Sequence, residues 1–241
     1  MMSRRALLSP APLVFASGAS ALAATPSNPA IPPSAKYPFD FVGPENDPEF
    51  GKKGVRRIGS GTPMHDEVAT GSRLLIGAGK YDSPFAIARY FADLTETNIG
   101  GELYNREWET RANPVITGFM SLTHTKPNLS DKVHWCAAFV SFCLQASNRP
   151  SLLTAWAQSY RHYRGRKAIV DPRPGDLAVF GYSDGSGHVG FFSRWRTDAA
   201  GQKIGFMVLG GNQGGAAYGG GAVVERPFSR ADLIGFYRVD D

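Results

Sequence analysis

Three residues stand in chain order where they could together break an acyl bond: Cys136, His188 and Asn212. Cys136 opens the run Cys-Ala-Ala-Phe-Val-Ser-Phe-Cys-Leu-Gln-Ala, which reads as a helix that turns strongly apolar. A thiol at a helix N-terminus meets the positive end of the dipole and free backbone N–H groups. Both favour the thiolate, which is the nucleophile. His188 lies at the mouth of an apolar strand, Gly187-His188-Val189-Gly190-Phe191-Phe192, where an imidazole can take up the thiol proton. Asn212 ends a second strand, Val208-Leu209-Gly210-Gly211-Asn212-Gln213. Its amide oxygen could accept from one imidazole nitrogen and so leave the other facing the thiol. Each residue also has an ordinary structural role open to it: a packed core thiol, a strand-start imidazole bonded to backbone, a turn amide. The agreement of one helical and two strand contexts favours nucleophile, base and orienting group.

The elements that must position these side chains change character along the chain. Ser83-Pro84 and Asn113-Pro114 each read as an N-cap followed by proline at the first helical position. Apolar residues at helical spacing follow both pairs. A further helix opens at Cys136 and stops at Asn148-Arg149-Pro150, and a fourth helical stretch is read over residues 152–163. After Pro174-Gly175 the period becomes that of strands: residues 176–180, 188–195 and 204–209, then Val223-Val224 and residues 234–239. Asp198-Ala199-Ala200-Gly201 supplies hairpin chemistry between the second and third strands. Helices first and an antiparallel sheet after predict an α+β domain. Asp176, in Pro-Gly-Asp before a strand, reads as turn chemistry and not as a catalytic acid.

The chain has 241 residues, 42% hydrophobic and 12% aromatic, enough for a packed core. Residues 1–23 combine Arg4-Arg5, a short apolar stretch and an Ala21-Leu22-Ala23 cleavage box, the pattern of a signal peptide. Arg4-Arg5 after Ser3 resembles a twin-arginine signal, while paired arginines also occur in Sec signals, so both export routes stay open. Export to the periplasm or the exterior is expected, without stable membrane insertion, since no apolar run approaches a bilayer span. Residues 24–65 read as a Pro/Gly-rich linker or extended arm, and residues 66–241 as the catalytic domain.

The formal net charge is +5, of which Arg4 and Arg5 supply two. That is too mild to argue for nucleic acid and suits weak attraction to an anionic wall. The two cysteines are not expected to pair, because seven residues of helix hold their Cα atoms about 10 Å apart. Cys143 reads as a buried core residue. Five histidines show no His-x-x-x-His or Cys-x-x-Cys spacing, so zinc is not expected, and nothing in the chain implies another cofactor. His134, two residues before Cys136, is a rival base ranked below His188. The Gly-rich run at 214–221 lacks the Gly-Lys-Ser/Thr of a phosphate cradle. It reads as a mobile loop, or as a flap in which Tyr218 touches substrate.

Four ordered motifs resemble the CHAP family (cysteine, histidine-dependent amidohydrolases/peptidases) within the NlpC-type papain-like superfamily. They are Trp-Cys-Ala-Ala-Phe-Val at 135–140, Asn-Pro-Val-Ile at 113–116, Gly-His-Val-Gly-Phe at 187–191 and Val-Leu-Gly-Gly-Asn-Gln at 208–213. The resemblance covers about residues 80–240 and is closest to the subgroup with the Trp-Cys-Ala-Ala-Phe-Val motif. It implies a papain-like fold, N-terminal helices packed on a C-terminal antiparallel sheet. It also implies Cys136 as nucleophile, His188 as general base and Asn212 as the third residue of a triad. Many members carry glutamate two residues before this asparagine, where this chain has Gly210; a neutral third residue stabilises the imidazolium less. The implied substrate is peptidoglycan, cut at the muramoyl–L-alanine bond or within the stem peptide. Two other readings stay in view: a non-catalytic wall-binding protein on the same fold, and a thiol acyltransferase in which an amine resolves the thioester.

Overall fold

Capping sets where the first helices begin. The computed structural model describes residues 61–124, 131, 133–214 and 220–240. The expected signal peptide, nearly all of the expected arm, and Tyr218 lie outside the described residues. Helix α1 spans His65–Gly77, α2 Pro84–Ala92, α3 Pro114–Ser121 and α4 Cys136–Ala146. Ser83 Oγ accepts from Ala86 N–H at 3.1 Å, and Asn113 Oδ1 accepts from Val115 N–H at 2.8 Å. Both prolines stand at the first helical position, as the sequence predicts. Helix α1 has no such signal. Met64 N–H donates to Glu67 at 2.7 Å, and a partly buried ion pair ties the helix down: Glu67 accepts from Arg111 Nε at 2.9 Å and Nη2 at 2.6 Å.

Five strands form one antiparallel sheet in the order β4-β3-β2-β1-β5. They are β1 Leu177–Gly181, β2 Gly187–Thr197, β3 Lys203–Gln213, β4 Ala222–Phe228 and β5 Leu233–Tyr237. The α+β expectation, helices first and antiparallel sheet after, is what the structure has. Leu177, Val179, Val189, Phe191 and Leu209 face the helices. Phe180, Phe192, Phe206, Val208 and Phe236 form a second cluster, on the other face by the two-residue alternation of strands. In a flat sheet β1 and β4 would be about 14 Å apart, three strand spacings. Yet the rings of Phe180 on β1 and Phe228 on β4 lie 4.7 Å apart. The sheet therefore curls over its own aromatic core.

Helix α4 is the central helix: Cys136 to Leu144 are all buried, Cys143 completely. Both cysteines are free. The segment that leads into α4 is held by Asp131, whose carboxylate accepts from Trp108 N–H at 2.9 Å and Asn113 N–H at 3.0 Å. One expectation fails. Residues 152–163 do not form a fourth helix; they hold short 3-10 turns at Ala157–Tyr160 and Tyr163–Gly165. Leu153 and His162 adopt left-handed backbone, with φ of 48° and 58°, which a helix does not accommodate. Tertiary bonds replace the helical ones: Ser141 Oγ donates to Thr154 O, accepts from Thr154 N–H, and meets Tyr160 Oη at 2.8 Å.

The N-terminus of α4 sits directly against the end of β3. The Trp135 ring, fully buried, lies over Gly211, where a Cβ would stand 2.4 Å from a ring carbon. Gly211→Ala is therefore expected to destabilise the fold by about 1–3 kcal/mol through overpacking. Thermal melts check this, and unchanged stability would mean that the Trp135 ring gives way freely.

Candidate active site

Cys136 is the first residue of α4, and Trp135 caps it without a side-chain hydrogen bond. The cap position leaves helix N–H groups free to point at the sulfur. The backbone N–H groups of Val189, Ala137 and Cys136 itself lie close enough to the sulfur to lower its pKa. Of these, only Val189, the strand residue that follows His188, lies outside the helix.

His188 projects to the other face of β2, into the curl of the sheet. It pairs in register with Phe180, and its ring lies nearly parallel to Phe228 at 5.6 Å. It is 7% exposed, and its Nε2 is buried without a hydrogen-bond partner. Asn212 stands at a bulge, where Gly211 and Asn212 together oppose one residue of β4. Its φ of 55° is left-handed, a conformation asparagine tolerates better than most residues.

His188 and Asn212 line one cleft of about 260 Å³, together with Tyr182, Gln213, Arg226 and Phe228. Cys136 is 3% exposed and is not among the residues that line this cleft. Tyr182 connects the two: it lines the cleft, and its hydroxyl is close enough to Cys136 for a charge on the sulfur to raise its pKa, though burial raises it more.

Two observations depart from expectation. The Asn212 amide nitrogen lies 3.5 Å from His134 Nδ1, so the side chain meets His134 and not His188. The resting Cys136 is also not an activated thiolate. Burial pushes the thiol up to about 11, against the three N–H groups that pull it down. The helix end was expected to favour the anion, but desolvation outweighs its partial charge here. Asp176 is a structural anchor, as the turn reading holds. Its carboxylate accepts from Arg173 N–H at 2.7 Å and pairs with Arg238 at 3.3 Å.

The sequence reading did not single out Tyr182, Arg226 or Phe228. None belongs to a motif, and only the curl of the sheet brings β4 over His188. It also passed over Glu107, whose Oε1 accepts from the Trp135 indole N–H at 3.1 Å and so fixes the ring next to Cys136. Among the described residues no cluster of His, Cys, Asp and Glu could hold a metal ion. Among them, too, no helix is long and apolar enough to cross a membrane.

Burial pulls the His188 imidazole down to about 4, with a smaller contribution from the charge of His134. Between pH 4 and the ordinary value near 6.5, the unfolded chain binds a proton that the folded chain rejects. Stability is thus fully present above pH 6.5 and falls as pH drops towards 4, by about 3 kcal/mol from this group. His188→Phe keeps an aromatic ring on Phe228 and is expected to remove that part of the pH dependence. Denaturant unfolding of both proteins across this range measures it, and identical slopes would refute the assignment.

No curated protein matches the chain, and no solved structure matches it. Residues 128–212, which hold Cys136, His188 and Asn212, match the family model of the CHAP domain, and the match points to amidohydrolase or peptidase activity of the peptidoglycan-hydrolase kind.

Proposed function

We propose that this chain is an exported cysteine hydrolase that cleaves an amide bond in peptidoglycan, with Cys136 as nucleophile and His188 as general base. The observation that carries the reading is the placement of Cys136 at the first turn of α4 near the Val189 N–H, one residue along β2 from a histidine whose Nε2 is buried without a hydrogen-bond partner. The family match supports the substrate class. Export rests on the N-terminal sequence alone.

The reaction runs in two halves. His188 takes the proton from Cys136 as the sulfur attacks the substrate carbonyl carbon, and the carbonyl oxygen becomes an oxyanion. The Cys136 backbone N–H, at the positive end of α4, is the donor nearest the bond that forms. Collapse breaks the C–N bond, and His188 returns its proton to the leaving amine. Water, deprotonated by His188, then attacks the thioester, and the acid product leaves with the thiol restored. Thiol and imidazole are both neutral at rest, so proton transfer accompanies attack instead of preceding it. Asn212 would orient His188 after exchanging His134 for it.

The contact between Asn212 and His134 favours a second reading, in which His134 is the base and Asn212 its orienting partner. Mass spectrometry of purified peptidoglycan incubated with the protein tests activity and names the bond cut. Cys136→Ser is expected to abolish turnover; retained turnover would refute the thiol mechanism. His188→Ala is expected to lower kcat by roughly 100- to 10,000-fold, and His134→Ala by less than about tenfold. The opposite ranking, with Asn212→Ala non-additive with His134→Ala, would assign the base to His134.

The acid limb of kcat/KM is expected near pH 4 and not near the ordinary histidine value, because burial disfavours the imidazolium. A limb near 6.5 would instead indicate an exposed histidine as the base.

A further inference from the structure

The cleft beside His188 carries a charge that the proposed chemistry does not use. Arg226 and Phe228 are two residues apart on β4, so their side chains leave the strand on the same face. Phe228 lies flat against His188, and Arg226 lines the same cleft. Across the ladder Arg226 pairs with Val208, a member of the inward-facing aromatic cluster. The register therefore directs Arg226 into the curl of the sheet.

The charge balance of the cleft follows. Arg226 is permanently cationic. No acidic residue is among the described residues that line the cleft. Glu225, its neighbour in the chain, is engaged elsewhere, with Arg89 at 3.1 Å and Arg194 at 2.7 Å. His188 adds no charge at neutral pH, since burial keeps it neutral. A concave site with one sign of charge concentrates ligands of the other sign. A guanidinium has five N–H donors in a planar fork, so it can hold one partner and still present a pair of donors to a carboxylate.

We propose that Arg226 is a substrate-binding residue that grips a carboxylate in the peptide portion of the substrate, on the side of the cleft next to His188. This rests on the hydrolase reading for the identity of the polymer. It goes beyond that reading in naming the chemical class selected, an anionic peptide with a free carboxylate close to the amide that is cut. Such a grip would orient the scissile carbonyl and would disfavour wall peptides whose carboxylates are amidated.

The test is a binding measurement that needs no turnover. The full chain carrying Cys136→Ala is titrated calorimetrically with a synthetic stem peptide bearing free carboxylates, and with the same peptide fully amidated. The acid is expected to bind roughly 10- to 100-fold more tightly, a charge-assisted contact. That preference should shrink as salt is raised. Adding Arg226→Gln should bring the two affinities together, while Arg226→Lys should keep part of the preference, since it keeps the charge and loses the fork. Equal binding of acid and amide, no binding of either, or a preference that survives Arg226→Gln would each overturn the proposal. If Arg226→Gln does not fold, the acid-against-amide comparison in the chain with Arg226 intact decides alone. Wild-type digestion of peptidoglycan reports separately on the hydrolase reading. Digestion without a carboxylate preference sinks this proposal and leaves that one standing.

Discussion

Everything at this site depends on how the N-terminus of α4 is docked against the ends of β2 and β3. Two contacts make the joint. The Trp135 ring lies over Gly211, where a side chain would collide with it, and the Val189 N–H lies close to the Cys136 sulfur. The first sets the approach of helix to strand, and the second sets the height of the sulfur along β2. Glu107 holds the indole from outside, and Asp131 anchors the segment that feeds the helix. A helix start is rigid only if its first turn is held, and here the Glu107 and Asp131 side chains and the backbone at Val189 and Gly211 hold it.

The same docking explains the electrostatics. The tight joint excludes water from the Cys136 thiol and the curl of the sheet excludes it from the His188 imidazole, which disfavours the charged form of each. The Cys136 thiol is held near 11 and the His188 imidazole near 4, so each is neutral at rest. Three N–H groups aimed at the sulfur do not reverse this, but they are already in place for negative charge that develops during a reaction. Preorganised donors of this kind help most when charge is transient, because they need not reorganise as it forms.

The curl of the sheet does the rest. It folds β4 over β2, lays Phe228 on His188 and brings Arg226 to the same cleft. The aromatic cluster inside the curl is therefore a wall of the site as well as a second core. A ring stack on one side and an arginine nearby give the cleft an apolar face and a cationic one.

Much of this was legible in the chain itself. The caps at Ser83 and Asn113, the helix at Cys136 and the change to strand period after Pro174-Gly175 are local signals, carried by residue types at fixed offsets. The order of Cys136, His188 and Asn212 was legible for the same reason. What local pattern could not decide is what depends on distant neighbours. Residues 152–163 have helical composition, yet Ser141 and left-handed Leu153 and His162 hold them in short turns. The dipole of α4 argued for a thiolate, but burial, which only packing determines, keeps the proton on sulfur. Asn212 stands in the right motif, yet the β-bulge aims its amide at His134. Arg226 and Phe228 carry no motif, because a strand's sequence shows which residues share a face and not which part of the sheet curls over to meet them. Sequence determined most of the elements and the order of the candidate residues; the tertiary structure decided their charge state, their partners and the wall of the cleft, because those are set by contacts between segments far apart in the chain.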